Sequence, residues 1–154
     1  MANKVSFIDA FDREVIAHVA VTGAGISGAD VRDMMLAAVE KRFGADQAPH
    51  PVEHRSDNGS CYTAAETRDF ARQLGLAPCF TLVRSPESNG MAEALVKTLK
   101  RDYVRITPLP DAATVRGPVP ARISDYNTVH PHSALAMRSP VEFRSALNLG
   151  QAVR

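Results

Sequence analysis

Cysteine is scarce. Cys61 and Cys79 are the two in 154 residues, 18 positions apart, which cannot make a disulfide framework and fits a reducing cytoplasm. No apolar stretch approaches the ~20 residues of a membrane helix, and the N-terminus shows no basic-then-apolar leader, so a cytoplasmic protein without a membrane partner is expected. Repeats and low-complexity tracts are lacking. Net charge is only +1, weak evidence for a nucleic-acid partner, but its distribution is uneven. Residues 1–83 carry 8 basic and 11 acidic side chains, residues 84–154 carry 10 and 6. The C-terminal half is therefore where a phosphate backbone would pass. The length is that of one domain, and 45% hydrophobic residues suffice for a core.

In chain order, Val5 to Phe11 alternates like a strand, Asp12-Arg13 predicts a turn, and Glu14 to Thr22 reads as a second strand of a hairpin. Ser27 can cap a helix through Phe43 with Val31, Met34, Met35, Ala38 and Val39 on its apolar face and Gly44 as its stop. Pro51 to Ser56 reads as a strand. Thr63-x-x-Glu66 predicts a capping box for a helix ending near Gly75, and Ala77 to Val83 a further strand. A helix follows the loop Pro86 to Gly90, and Ser139-Pro140-Val141-Glu142 predicts another capping box with proline at the first helical position.

Two carboxylates stand out. Asp57 follows a strand, where a turn should expose it at a sheet edge, and Glu93 lies in the first turns of the strongest helix, with 35 residues between them. Brought together, such a pair could hold divalent metal, and two-metal sites catalyse phosphoryl displacement. On the Glu93 helix, Ala92, Leu95, Val96, Leu99, Tyr103 and Ile106 share one side, and Glu93, Lys97, Lys100 and Arg101 the other. The bland alternative is a solvated face with a Glu93–Lys97 pair, worth only about 0.2–0.5 kcal/mol.

Other patterns carry less. Gly23-Ala24-Gly25-Ile26-Ser27-Gly28 fits the dinucleotide fingerprint, but its strand closes a hairpin rather than opening a parallel unit, and no acid stands at the required place. A flexible glycine-rich connection is the better reading. His50 with His54, or His130 with His132, fits no zinc spacing, and Cys61 has no identifiable base partner for a nucleophilic role.

Several motifs together resemble a known family. Asp57-Asn58-Gly59-Ser60, Arg84-Ser85-Pro86-Glu87-Ser88-Asn89-Gly90-Met91-Ala92-Glu93 and Val96-Lys97-Thr98-Leu99-Lys100-Arg101-Asp102-Tyr103 resemble the integrase core of bacterial insertion-sequence transposases, in the retroviral-integrase superfamily. Asp125-Tyr126-Asn127, His130-Pro131-His132-Ser133-Ala134-Leu135 and Arg138-Ser139-Pro140 resemble its C-terminal signature. The likeness runs from about Val5 to Leu147. It implies an α/β, ribonuclease H-like core, a mixed sheet flanked by helices, over residues 1–106, with a C-terminal helical extension of the same domain over 107–154. It also implies metal-dependent DNA cleavage and strand transfer in transposition and DNA integration. Asp57 and Glu93 match the last two members of the family's Asp, Asp, Glu triad and would hold Mg²⁺ or Mn²⁺. Lys97, Lys100 and Arg101 would bind DNA, and His130 and His132 would contact the tail helix or DNA. The partners implied are element ends and target DNA, with intact transposase or a second copy.

Departures are equally specific. The family's first triad Asp sits on a central strand before the hairpin, whereas only four residues precede Val5 here. Asp9 matches a non-catalytic position. Arg116-Gly117-Pro118-Val119-Pro120 interrupts an expected helix from Asp111 to Tyr126, where one proline alone costs about 3 kcal/mol. These departures fit a truncated or decayed reading frame that is inactive by itself. The other readings are a catalytically dead DNA- or transposase-binding remnant and a frame without function. Without the central strand, two two-stranded pieces should remain. Leu36, Phe70, Leu74, Leu95 and Leu99 would hold them around a gap, or the first strand would close onto Pro51 to Ser56.

Overall fold

Ser27 and Gly44 bracket the helix on which much of the fold rests. In the computed structural model, which describes residues 2–23, 25–80, 90–99 and 118–151, helix α1 spans Gly28–Phe43. The Ser27 hydroxyl accepts the Asp30 N–H at 3.2 Å while the Asp30 carboxylate accepts the Ser27 N–H at 2.8 Å. This reciprocal box satisfies donors that the helix leaves free. Gly44 ends it at φ 68, a left-handed value that costs glycine little.

The strands are β1 (Ala2–Ile8), β2 (Val15–Thr22), β3 (Val52–Ser56) and β4 (Leu76–Phe80). They form two separate two-stranded sheets, β1 with β2 and β3 with β4. β1 and β2 are joined by six residues, too few for a parallel return. β3 and β4 are parallel, paired from Val52 with Leu76 to Ser56 with Phe80. Their crossover holds helices α2 (Ser60–Thr63) and α3 (Ala65–Gln73). Among the described residues the sheet is thus divided into the expected two pieces, and β1 does not pair with β3.

The chain forms two compact units. The first comprises Met1–Phe7 and Ile16–Leu95. Its core sets Val31, Met35 and Val39 of α1 against Ala71, Leu74 and Leu76, with Phe7, Leu36, Val52 and Phe70 packed alongside. Met34 and Ala38 of α1 meet Ala17, again with Phe7. All five apolar positions read on this helix are buried. Helix α4 (Gly90–Leu99) carries the buried Leu95. Val96, expected on the packed side, is exposed. It lies about 100° around the helix from Leu95, outside a narrow buried stripe.

The second unit comprises Ile8–Val15 and Val96–Arg154. It holds helices α5 (Pro118–Thr128) and α6 (Pro140–Gln151) and a 3₁₀ turn at Ser133–Leu135. Helix α5 starts at Pro118, so both prolines fall in its first turn, where their missing N–H groups are no loss. The Ser139–Glu142 box forms as read: the Glu142 carboxylate accepts the Ser139 N–H at 2.9 Å, and the Ser139 hydroxyl accepts the Glu142 N–H at 3.4 Å. The 9–14 turn is longer than Asp12-Arg13. Asp9 Oδ1 accepts the N–H groups of Phe11 and Asp12, at 2.8 and 3.3 Å. Arg13 takes φ 65. The buried Asp12 and Glu14 face Arg144 of α6, which is hydrogen-bonded to Glu14 and 3.9 Å from Asp12.

Two further expectations change. Thr63 does not cap α3, whose N-cap is Ala64 without a side-chain bond. The Thr63 hydroxyl instead donates to the Gly59 carbonyl at 3.3 Å, because the chain is already helical from Ser60. Gly75 does end α3, at φ 78, with its carbonyl accepting the Val52 N–H at 3.0 Å. Lys100, Arg101, Tyr103, Ile106 and the Arg84 to Asn89 stretch lie outside the described residues. No described helix is long and apolar enough to cross a membrane.

Candidate active site

Asp57 follows directly on β3, and its own carboxylate builds the turn. Oδ1 accepts the Gly59 N–H at 2.9 Å, the bond by which an aspartate mimics a backbone turn. The Ser56 hydroxyl donates to the Asp57 carbonyl at 3.2 Å. The Gly59 carbonyl then accepts the N–H groups of Tyr62 and Thr63, at 2.9 and 3.1 Å, which carries the chain into α2. Asp57 remains exposed at the strand end, the position expected of it.

The strand behind it is fixed by aromatic packing. His54 stacks on Phe7 of β1 with ring centroids 4.5 Å apart and planes 4° from parallel, and Tyr62 lies 6.2 Å from the same imidazole. Burial brings the His54 pKa down to about 4, so this ring is neutral at physiological pH and is part of the core. Burial, with Cys61 and Asp57 nearby, pushes the Tyr62 phenol up. The two sheets therefore meet through side chains, without a backbone ladder between β1 and β3.

Glu93 lies in the first turn of α4 and is exposed, and Lys97 is exposed one turn later. Asp57 and Glu93 both belong to the first compact unit, Lys97 to the second. Asp9 has a different occupation: its carboxylate holds the hairpin turn. Among the described residues no three His, Cys, Asp or Glu side chains gather into a metal-holding group. Mg²⁺ is commonly held by one or two carboxylates with substrate phosphates completing its shell. The hard oxygens of Asp57 and Glu93 suit that ion in kind.

The C-terminal signature has a structural role in the second unit. Tyr126 stacks on His130 at 5.8 Å and meets His132 edge-on at 4.7 Å, and the two imidazoles are 5.0 Å apart. Burial, then His130 and Arg13, hold the His132 pKa below its ordinary value. His132 N–H donates to the Arg138 carbonyl at 3.0 Å, closing the turn before α6. Asn127 bonds both backbone groups of Val15. Nothing in the local pattern signals that last role, because the partner is 112 positions away.

Two integrase core domain profiles match this chain, one over residues 4–86 and another over residues 74–140. The chain belongs to the integrase core domain family. Its relatives put it with the insertion-sequence transposases of that family. It is 65% identical over 142 residues to the insertion element IS136 uncharacterized protein Atu4601 of Agrobacterium fabrum, covering 92% of this chain and 73% of that protein. It is 55% identical over 141 residues to the transposase InsD for insertion element IS2D of Escherichia coli K12, covering 91% of this chain and 46% of that one. The chain thus spans about half the length of the InsD transposase. The catalytic core domain of BIV integrase aligns at a TM-score of 0.57 and 15% identity, over 98% of this chain and 97% of that one. A chain of the simian T-cell lymphotropic virus intasome, in complex with PP2A regulatory subunit B56 gamma, aligns at 0.65 and 17%, over 91% and 47%. At such identities the likeness speaks to fold, and the fold of this family member is ribonuclease H-like.

Proposed function

We propose that this chain serves the DNA cleavage and strand-transfer steps of transposition, with Asp57 and Glu93 as the acids that hold Mg²⁺ or Mn²⁺. The observation that carries the reading is the placement of two exposed carboxylates, at a strand end and in a helix first turn, within one compact unit of an integrase core. A bound divalent cation would supply Lewis-acid polarisation of a phosphodiester and an activated oxygen nucleophile. The chain's own share is to hold that cation through the two carboxylates and to keep the phosphate backbone in register. Lys97, Lys100 and Arg101 are the basic side chains proposed to contact phosphate, which positions DNA without reading its sequence. Element ends and target DNA are the proposed substrates, and a second copy or a longer transposase the proposed protein partner.

Asp57 and Glu93 are the two triad acids that the family resemblance matches. Residues 1–154 by themselves are proposed to bind DNA without joining it. The test is strand transfer on oligonucleotides carrying the element's ends, with Mg²⁺ or Mn²⁺. Residues 1–154 alone should give no product, whereas a fusion to the triad-bearing strand of a longer relative should. In the fusion, Asp57→Asn or Glu93→Gln should abolish product. Full activity of either variant would overturn the assignment of these acids.

A further inference from the structure

Gly59 follows the candidate metal ligand by two positions, and its backbone is ordinary: φ −60, ψ 143, a conformation open to any L-residue. Gly23, Gly25, Gly44 and Gly75 all have positive φ, so their lack of a side chain is explained by the backbone. At Gly59 the explanation must be sought in what surrounds the missing Cβ. A Cβ built there would lie 2.9 Å from Asp57 Oδ1, with Tyr62 Cδ2 at 3.6 Å and Cys61 Sγ at 3.7 Å. The last two are ordinary contacts. The first is a clash, and the atom that would have to yield is the end of the Asp57 carboxylate.

We infer that Gly59 is a positioning residue for Asp57, and that the absence of its Cβ lets this carboxylate keep the orientation in which it takes a divalent cation. The inference rests on the reading of Asp57 as a metal ligand. Gly59 acts in two ways. Its N–H holds Oδ1 at 2.9 Å, and its bare Cα leaves that oxygen room. Asp57 is exposed and its Oδ1 is taken by the Gly59 N–H, so Oδ2 is the oxygen proposed to ligate the cation. A carboxylate fixed in advance loses less freedom on binding than one that must first be ordered, and groups that orient a ligand typically affect metal affinity by about 10–100-fold. An alanine methyl would push Oδ1 off the Gly59 N–H, removing one exposed turn bond while leaving the core untouched. Its stability cost should therefore be no more than that of losing this bond, and its further effect should fall on the cation.

The test is an Mn²⁺ titration of residues 1–154, followed by paramagnetic broadening of the amide signals of residues 56–60, beside a urea denaturation of each variant. In the wild type, Mn²⁺ should broaden these signals, and Asp57→Asn should remove the effect. Gly59→Ala should weaken Mn²⁺ binding about tenfold, with its urea midpoint lowered no further than in Asp57→Ala, which loses the same turn bond. Wild-type affinity in Gly59→Ala would overturn the positioning role while leaving the metal site in place. A urea midpoint lowered beyond that of Asp57→Ala would assign Gly59 to folding and overturn it as well. Absence of broadening at residues 56–60 in the wild type, or its persistence in Asp57→Asn, would remove the metal reading and this inference with it.

Discussion

Asn127 of α5 and Val15 of β2 exchange two hydrogen bonds, Nδ2 donating to the Val15 carbonyl and the Val15 N–H donating to Oδ1, each 2.9 Å. One side chain thereby makes the paired contact that a neighbouring strand would make. Both residues are buried. Asn127→Ala removes two buried bonds, each worth about 0.5–1.5 kcal/mol. Chemical denaturation should show a loss of about 1–3 kcal/mol, and an unchanged midpoint would mean the pair contributes nothing net.

Acid should weaken the fold through His54. Its pKa is about 4 in the folded chain against 6.5 for a free imidazole, so the unfolded chain binds the extra proton. The stability from keeping this ring neutral is complete above about pH 6.5 and is lost progressively as pH falls toward 4, by about 3 kcal/mol in all. His54→Phe keeps an aromatic ring against Phe7 and cannot titrate. Urea unfolding between pH 4 and 7 should then show a shallower pH slope in the variant than in the wild type.

Binding to DNA, if the basic side chains serve it, should be sequence-independent and fall steeply with salt. Lys97→Ala and Lys100→Ala should each reduce the slope of log affinity against log salt by about one. Fluorescence anisotropy with two unrelated duplexes over a salt series measures this. Slopes equal to the wild type would exclude these lysines from the phosphate contacts.

The divided sheet has its own consequence. Among the described residues β1 and β3 each pair on one side only, and an unpaired strand edge is a template for association. Residues 1–154 should self-associate as concentration rises, and fusion of a strand able to lie between β1 and β3 should yield a monomer that unfolds more cooperatively. Sedimentation with thermal melts checks both. A monomeric, cooperative melt of residues 1–154 would show that these edges need no partner.

What could be read beforehand depended on how local its causes are. Helix α1 was legible because its cap, apolar stripe and terminal glycine all lie within Ser27 to Gly44. The Ser139–Glu142 box was legible for the same reason. Thr63-x-x-Glu66 misled because the pattern is blind to a competing acceptor, and the helical turn begun at Ser60 presents the Gly59 carbonyl to that hydroxyl first. The burial of Asp12 and Glu14 could not be foreseen, since Arg144 is 130 positions beyond Glu14. At the site, the acids Asp57 and Glu93 stood out by residue type and spacing. The part played by Gly59 did not, because it depends on a 2.9 Å approach that no spacing rule encodes.

That approach also bears on how the gene drifts. A methyl at position 59 disturbs a carboxylate and one exposed turn bond, so a lineage that no longer uses Asp57 would accumulate alanine or serine there at little penalty to folding. Core positions such as Met35 or Leu74 would still be held by stability alone. Comparing the rate of replacement at Gly59 with that at Met35 among sister copies of the element would therefore separate a core still under catalytic selection from one that merely folds.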